Sequence, residues 1–559
     1  MKPDPQNEKG PSGGIPRKIR LPRWLFPVLD ILRGAAGRGR TSLPAVPDAT
    51  PLYLVGGVVR DILQGRRTHD IDVACDDAAA LARALERRTG GRLVVLDELS
   101  KVYRVVLTRM KPPDAAAPRE KSNTLRAAPG ALSRPVPQVD VAQIQGKGIE
   151  EDLRRRDFTI NAMALPIPAA GGRSRLIDPR GGARDLERGI LRAESGRLFS
   201  EDPLRLLRAF RIASQLGGRI ERRTLGYIRA HRRKISEPAG ERIRQELLLL
   251  LACPSSHAWL REMDNAGLLT ALFAPLEASR RCAEVYYGKG GVLKHSLDAV
   301  ERMDLLLENM PKIFPGLHRE INRAFEADGV ALARRGPLLR LAVLLHDIAK
   351  PPTAKRIGGR LRFFGHDEIG ARMAAELLGR LRLSRDEIDA VCAYILHHLR
   401  PGNLAANPVI SDKAVFRFFR ELGRHAVGLI LVCWADHASY LSPARLARVL
   451  KYCSEDPHDF PTSRVADPAV RKTLRHLQVL HYLLFNYFRK RERVLPPRLI
   501  DGTDVMSILS IPPGPSIGKI LTLVQEAQAA GKVLDREQAL GFIRNSIPVR
   551  LKVAATRRR

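Results

Sequence analysis

Between Leu54 and Ala74 the chain reads LVGGVVRDILQGRRTHDIDVA, and this stretch constrains the fold more than any other. The apolar strand signal YLV runs into a Gly56-Gly57 turn and a helix start, and then into the alternating strand DIDV. Strand side chains alternate faces, so Asp70 and Asp72 share one face while Ile71 points into the core. Two carboxylates on one face repel each other. Hard Mg²⁺ ions prefer oxygen ligands, and a two-metal clamp on a triphosphate needs such a bridgeable acidic pair. Gly56 and Gly57 lack a Cβ and let the backbone approach phosphates, and Arg60 on the following helix can pair with a phosphate oxygen. A DxD alone is more often a turn or a solvated acidic edge. The combination GG…RD…G…DxD is far more specific.

Further strands are expected at RLVVL and YRVVL. A polar, Pro- and Ala-rich insertion from about Lys111 to Pro137 then interrupts the domain, and QVDVA resumes it. Beyond Ala169, segments such as EDPLRLLRAFRIASQL and GERIRQELLLLLA carry apolar residues at helical spacing. The expected fold class is α+β, a small mixed α/β head followed by mostly helical domains. The expected division is a basic disordered arm over 1–49, a head over 50–168, a helical neck over 169–275, a His-rich helical domain over 276–490 and a helical tail over 491–559. The arm is Pro-, Gly- and Arg-rich with one apolar patch, Trp24 to Leu32.

A chain of 559 residues predicts two to four packed units. Its 94 Lys+Arg against 60 Asp+Glu give a net charge of +34, which suits a polyanionic partner. Nucleic acid leads that list, an anionic membrane surface trails it, and biased base composition with a solvated surface is the plainer alternative. No apolar run reaches the roughly 20 residues a membrane span needs, so no membrane is expected as a partner. The start MKPDPQNEKGPSGGIPRK has no apolar signal core. Six cysteines without CxxC spacing indicate neither a zinc ribbon nor a disulfide scaffold, so a cytoplasmic location is expected. No protein partner can be inferred.

The Leu54–Ala74 stretch resembles the head motif of class II tRNA nucleotidyltransferases and bacterial poly(A) polymerases, within the DNA polymerase β superfamily. The resemblance implies that Asp70 and Asp72 hold catalytic Mg²⁺ and that Gly56, Gly57 and Arg60 lie at the incoming nucleotide. It also implies a third carboxylate on a neighbouring strand, for which Asp140 in QVDVA is the candidate. IEEDLRRRDFTINAMAL is similar to the second family motif, which makes Arg156 a nucleotide-contacting arginine and Asp157 a ribose-side partner. LIDPRGGARDLERGILR is similar to the third, a hinge between head and neck.

In SEDPLRLLRAFR, helical spacing puts Asp202, Arg205 and Arg208 at successive i, i+3 positions, with Arg211 following on that face. A fixed carboxylate accepts from an exocyclic amino group and an arginine fork donates to a ring nitrogen or carbonyl, so such a face can mimic a Watson–Crick edge. C and A carry an amino group at the matching ring position, where U and G carry a carbonyl. The resemblance implies that Asp202 and Arg205 are this amino-acid template, with Arg208 and Arg211 nearer the ribose and phosphates. Plain salt bridging along the helix is the alternative.

KHSLDAV, LLHDIAKPPT, FFGHDEIG, ILHHL and WADHAS supply His295, His346, Asp347, His366, His397, His398 and Asp436 in an order that resembles HD-domain metal phosphohydrolases. By motif position His295, His346, Asp347 and Asp436 are the ligands, a set that suits Ni²⁺, Co²⁺, Mn²⁺ or Zn²⁺. Some HD-bearing relatives act on phosphoester ends such as 2′,3′-cyclic phosphates. PPGPSIGK could offer a helix N-terminus and Lys519 to a phosphate, or be a capped structural helix, and the closing VRLKVAATRRR is a basic tail suited to RNA.

The resulting expectation is template-independent addition of CCA to tRNA 3′ ends from CTP and ATP. Alternatives are poly(A) polymerase, CC-only or A-only addition, and, from another class, an HD phosphohydrolase whose head only binds RNA. Where the family commonly has an HGT-type flexible loop that influences the C-to-A switch, this chain has LVVLDELSKVYRVVL.

Overall fold

The computed structural model describes residues 18–36, 51–68, 70–107, 138–169, 172–327, 329, 332–461 and 464–545. The expected insertion at 111–137, most of the expected arm and the segment VRLKVAATRRR lie outside the described residues. The chain divides into two compact units, 1–238 with 265–272 and 239–264 with 273–559. The expected neck, 169–275, therefore contributes to both.

The first unit is built on one sheet. In chain order the elements that frame its site are β1 (Lys18–Arg20), α1 (Phe26–Ala35), β2 (Tyr53–Val55), α2 (Gly57–Leu63), β3 (Asp70–Cys75), α3 (Ala78–Thr89), β4 (Arg92–Asp97), β5 (Val102–Val106), β6 (Gln138–Gln143), α4 (Ile149–Arg154), β7 (Ala164–Pro166), β8 (Arg173–Arg175), α5 (Gly182–Glu187), α6 (Arg197–Glu201) and α7 (Arg205–Leu216), with shorter strands and further helices between and after them. Six strands pair in the order β4-β5-β6-β3-β2-β7. Only β3 and β6 run parallel; the other neighbours are antiparallel. Alternation on β3 is as expected, with Ile71 and Val73 buried and Asp70 exposed. Asp77 caps α3 by accepting from the Ala80 amide at 2.9 Å, and Gly90 in the left-handed region ends it. The buried face of α3 (Ala78, Leu81, Ala82, Leu85) covers β5 and β6.

The structure corrects the expected disordered arm over its residues 18–36. β1 pairs antiparallel with β8, and α1 lies against α3 with Leu25, Leu29 and Leu32 fully buried. The Pro- and Arg-rich composition concealed an apolar stripe at helical spacing long enough to bury itself.

In the second unit the helices Gly291–Glu308, Leu332–Leu345, Arg385–His397 and Ala426–Ser439 pack on one another, and Pro468–Arg489 covers the last of these. Trp434 is buried in that bundle. The helices Gly502–Leu509 and Pro515–Ala529 close a small core of Ile500, Val505, Ile520 and Val524. Among the described residues no helix is long and apolar enough to cross a membrane, and all six cysteines are free.

Candidate active site

The β2-to-α2 turn lies beside β3 because β2 pairs with β3, and Gly56 takes a positive φ of 68° in that turn. A Cβ there would stand 3.2 Å from Asp72 Oδ2 and 3.4 Å from Arg156 Nη1, so glycine lets the turn pass close to both side chains. The Gly57 amide donates to the Asp72 carboxylate. Asp72 nevertheless has its pKa pushed up to about 6, first by burial and then by the neighbouring carboxylates Asp140 and Asp70, against the opposing pull of Arg156. Asp140 sits opposite Asp72 in the parallel β3–β6 register. Asp72, Asp140 and Asp70 are neighbouring hard oxygen donors, and the raised pKa of Asp72 fits a site that a cation such as Mg²⁺ would relieve.

Arg104 on β5 was not singled out in the sequence. It faces Asp140 across the β5–β6 ladder and grips it with both arms, Nε–Oδ1 and Nη2–Oδ2 each 2.7 Å. The third carboxylate stands where expected, with its charge balanced by this fork.

Opposite the sheet, Arg156 is held by the buried Asp152 at 3.0 Å. Asp157 accepts from the Phe158 amide (2.8 Å), Asn161 Nδ2 (3.0 Å) and Arg208 Nη2 (3.0 Å). Burial alone would raise its pKa, but Arg208 and these donors hold it below the usual value. Asn161, also unflagged in the sequence, links Asp157 to Arg60, whose Nη1 donates to Asn161 Oδ1 at 3.0 Å.

The structure corrects the expected placement of Asp202 on a helix face. It lies in an extended break (φ −140°, ψ 94°) between α6 and α7, because a residue before proline, here Pro203, is pushed out of the helical region. The break still delivers it to the site: Asp202 Oδ1 accepts from the Leu204 amide at 3.3 Å and Oδ2 stands 4.0 Å from Arg205 Nε. Gly56, Gly57, Asp72, Asp140, Arg156, Asp157, Asp202, Arg205 and Arg208 line a single cavity of about 360 Å³. Asp70, Arg60 and Arg211 are not among its lining residues. Asp70 is paired with Gln138 at the exposed start of β3, and Arg211 donates to Gln215 at 2.7 Å along α7.

The β4–β5 connection, where a flexible loop was the family comparison, is a tight turn. The Asp97 carboxylate accepts from the Ser100 amide at 3.0 Å, Lys101 takes a positive φ of 51°, and Leu99 at the tip is 97 % exposed.

The second unit contains the expected histidine cluster. His295 Nε2 stands 3.1 Å from Asp436 Oδ1 and 3.6 Å from Asp347 Oδ2; His346 Nε2 stands 3.2 Å from Asp347 Oδ2 and 3.6 Å from Asp436 Oδ1. All four residues are buried, and beyond these contacts with one another His295 Nε2, Asp347 Oδ1 and Asp436 Oδ1 have no hydrogen-bond partner among the described residues. Buried, unsatisfied imidazole and carboxylate atoms turned toward a common point fit a transition-metal ion. His397 is not part of this cluster, whereas His366 and His398 are.

Residues 52–192 match the family described as Poly A polymerase head domain, residues 218–279 match that described as Probable RNA and SrmB-binding site of polymerase A, and residues 316–441 match the HD domain. The chain is 30% identical over 518 residues to the A-adding tRNA nucleotidyltransferase of Deinococcus radiodurans, covering 90% of this chain and 97% of that one. It is 29% identical over 504 residues to the CC-adding tRNA nucleotidyltransferase of Thermus thermophilus, covering 89% and 93%. Among solved structures, the Thermotoga maritima CCA-adding enzyme complexed with tRNA is similar in fold, with a TM-score of 0.57 at 20% identity over 95% of this chain and 100% of that chain.

Proposed function

Because the chain belongs to the tRNA nucleotidyltransferases, we propose that it builds the CCA terminus of tRNA from CTP and ATP without a nucleic-acid template. The observation that carries this reading is the single cavity shared by the carboxylates Asp72 and Asp140 and the polar pair Asp202 and Arg205. A triphosphate held at the first set places its base within reach of the second.

In this reading Asp70 and Asp72 hold Mg²⁺, which when bound supplies the charge that activates the RNA 3′-hydroxyl and steadies the departing pyrophosphate. The new bond joins that 3′-oxygen to the α-phosphorus, and the bond to pyrophosphate breaks. Asp140, balanced by Arg104, completes the acidic face. Gly56 and Gly57 leave room for phosphate oxygens, and Arg60, tied to Asn161, fixes the start of α2 beside them. Arg156 and Arg208 present cationic forks to the nucleotide, each steadied by an aspartate, Asp152 and Asp157. Arg211 steadies α7 behind Arg208. Asp202 accepts from the amino group that C and A share, and Arg205 donates to the adjacent ring atom. The free cysteines accord with action in the cytoplasm.

A second reading, addition of only CC or only A, is favoured by two observations. The β4–β5 connection is a tight turn, and the relatives described above that match nearly the whole chain are named A-adding and CC-adding. The deciding experiment offers tRNAs ending before CCA, after its first C and after its second C to the purified chain, with CTP and ATP separately and together. Completion of all three supports full CCA addition. Extension by C only, or only of the CC-ended tRNA by one A, selects the specialist, and long A tracts select poly(A) polymerase. The HD cluster would add a phosphohydrolase activity on RNA phosphoester ends, tested with 2′,3′-cyclic phosphate substrates and Mn²⁺, Co²⁺, Ni²⁺ or Zn²⁺.

A further inference from the structure

From Pro351 to His366 the chain carries four Lys and Arg side chains, Lys355, Arg356, Arg360 and Arg362, and no acidic residue. This stretch folds into a two-stranded antiparallel hairpin, Lys355–Ile357 with Arg360–Arg362. Gly358 and Gly359 join the strands with positive φ at both positions (56° and 73°), the two-residue turn whose twist matches that of the flanking strands. The Tyr286 hydroxyl donates to the Leu361 carbonyl at 3.1 Å and ties the hairpin to the short helix Glu284–Tyr287. Turn and tether set the hairpin in place without help from its charged side chains.

The strand register is costly for the protein alone. Lys355 stands directly opposite Arg362 and Ile357 opposite Arg360, so the two-residue period gathers three cations and one apolar side chain on one face. Like charges directly opposite each other on a sheet are destabilising. All four cations are exposed, and none forms an ion pair or a side-chain hydrogen bond among the described residues. Exposed apolar groups stand with them. Ile357 shares their face, Phe364 follows the second strand with 73 % of its surface open, and Tyr286 at the tether is 53 % open beside the exposed Val285.

Charges alone would serve to keep the open edges of a two-stranded sheet from pairing with other chains. Edge protection leaves the exposed rings beside them unaccounted for. A partner that is anionic along its length and carries flat ring faces accounts for both. An unpaired RNA strand is such a partner, whereas a duplex keeps its base faces inside its own stack. Arg360 and Arg362, two residues apart on one strand, are separated by roughly 6.8 Å, about one phosphate-to-phosphate step of an extended nucleic-acid strand.

We propose that this hairpin, with Tyr286 and Phe364 beside it, is a docking surface for unpaired RNA. Lys355, Arg360 and Arg362 meet backbone phosphates, and the two rings stack on bases. The proposal rests on the reading of the chain as an enzyme that acts on RNA, and adds to it a contact surface outside the head cavity.

The test offers the full-length chain an oligouridylate of about 12 nucleotides, with an RNA duplex of equal length for comparison. Ultraviolet crosslinking of the wild type, followed by peptide mass spectrometry, should place adducts on Tyr286 or Phe364. The combined variant K355Q, R360Q and R362Q should bind the oligouridylate at least about tenfold more weakly, and its slope of log affinity against log salt should shrink by about 2. Phe364→Ser should weaken binding about tenfold with the slope unchanged. Both variants should melt as the wild type does and keep its kcat for nucleotide addition at saturating tRNA, which reports on the head separately. Crosslinks confined to other peptides, or wild-type affinity in the combined variant, overturn the surface while undiminished nucleotide addition leaves the transferase reading in place. Equal losses for the duplex overturn the preference for unpaired RNA. Lost binding to anionic lipid vesicles with RNA binding intact would make the hairpin a membrane contact and overturn the proposal.

Discussion

Under the proposed function, an Asp72 carboxyl with a pKa of about 6 couples Mg²⁺ binding to protons at the head site. Below that value Asp72 is protonated, and Mg²⁺ has to displace the proton. The Mg²⁺ concentration for half-maximal incorporation should therefore rise roughly tenfold per pH unit below about 6 and level off above it. A flat dependence between pH 5 and 7 would contradict the assignment. The stability sign follows from the same shift. Folding raises this pKa from 3.8, so the protonated carboxyl stabilises metal-free protein at low pH, and that contribution is lost as pH climbs through about 6. Melting curves without Mg²⁺ should fall across that window, and added Mg²⁺ should restore stability above it.

Arg104 sets how strongly Asp140 adds to this effect. Arg104→Met leaves Asp140 uncompensated next to Asp72 and should move the pH midpoint for Mg²⁺ binding above its wild-type position. An unchanged midpoint would show that the fork is decorative. Asp202→Ala should relax discrimination of CTP and ATP against UTP and GTP in single-nucleotide incorporation while leaving Mg²⁺ affinity largely intact; unchanged selectivity would remove Asp202 from the template role.

At the scale of elements, β3 was legible because a period of two with alternating aspartates and apolar residues has one solution on a half-buried strand. QVDVA was legible for the same reason, whereas RLVVL and YRVVL were legible as short β-branched apolar runs, the first of which lies largely exposed. Four features were not. Arg104 and Asp140 are paired by β5–β6 register, and the insertion between those strands hides that register from the sequence. Asp202 followed the helical i, i+3 pattern so well that spacing overruled Pro203, although the proline was the stronger local signal. The pairing of His366 with His398 depends on how two helices meet, which their separate motifs do not specify. The first helix was masked by composition, and it carries a prediction. Leu29 is fully buried, so Leu29→Ala should destabilise the first unit by about 2–5 kcal/mol, read as a lowered melting temperature. An unaltered melt would mean that α1 is dispensable to the fold.

For the whole molecule, the family motifs supplied the reaction class, and the structure supplied one cavity that joins the carboxylates Asp72 and Asp140 to Asp202 and Arg205, which the proposed function takes as the metal side and the base-reading side. The chain's net charge of +34 accords with an RNA substrate, whose phosphates it can neutralise. The most direct measurement follows labelled CTP and ATP into tRNAs lacking all or part of CCA, with Mg²⁺, for the wild-type chain and for Asp72→Asn. The account predicts incorporation by the wild type with one pyrophosphate released per nucleotide, and a loss of at least about a thousandfold in the variant with its fold intact. No incorporation by the wild type into any of these tRNAs, or full activity in the Asp72→Asn chain, would contradict it.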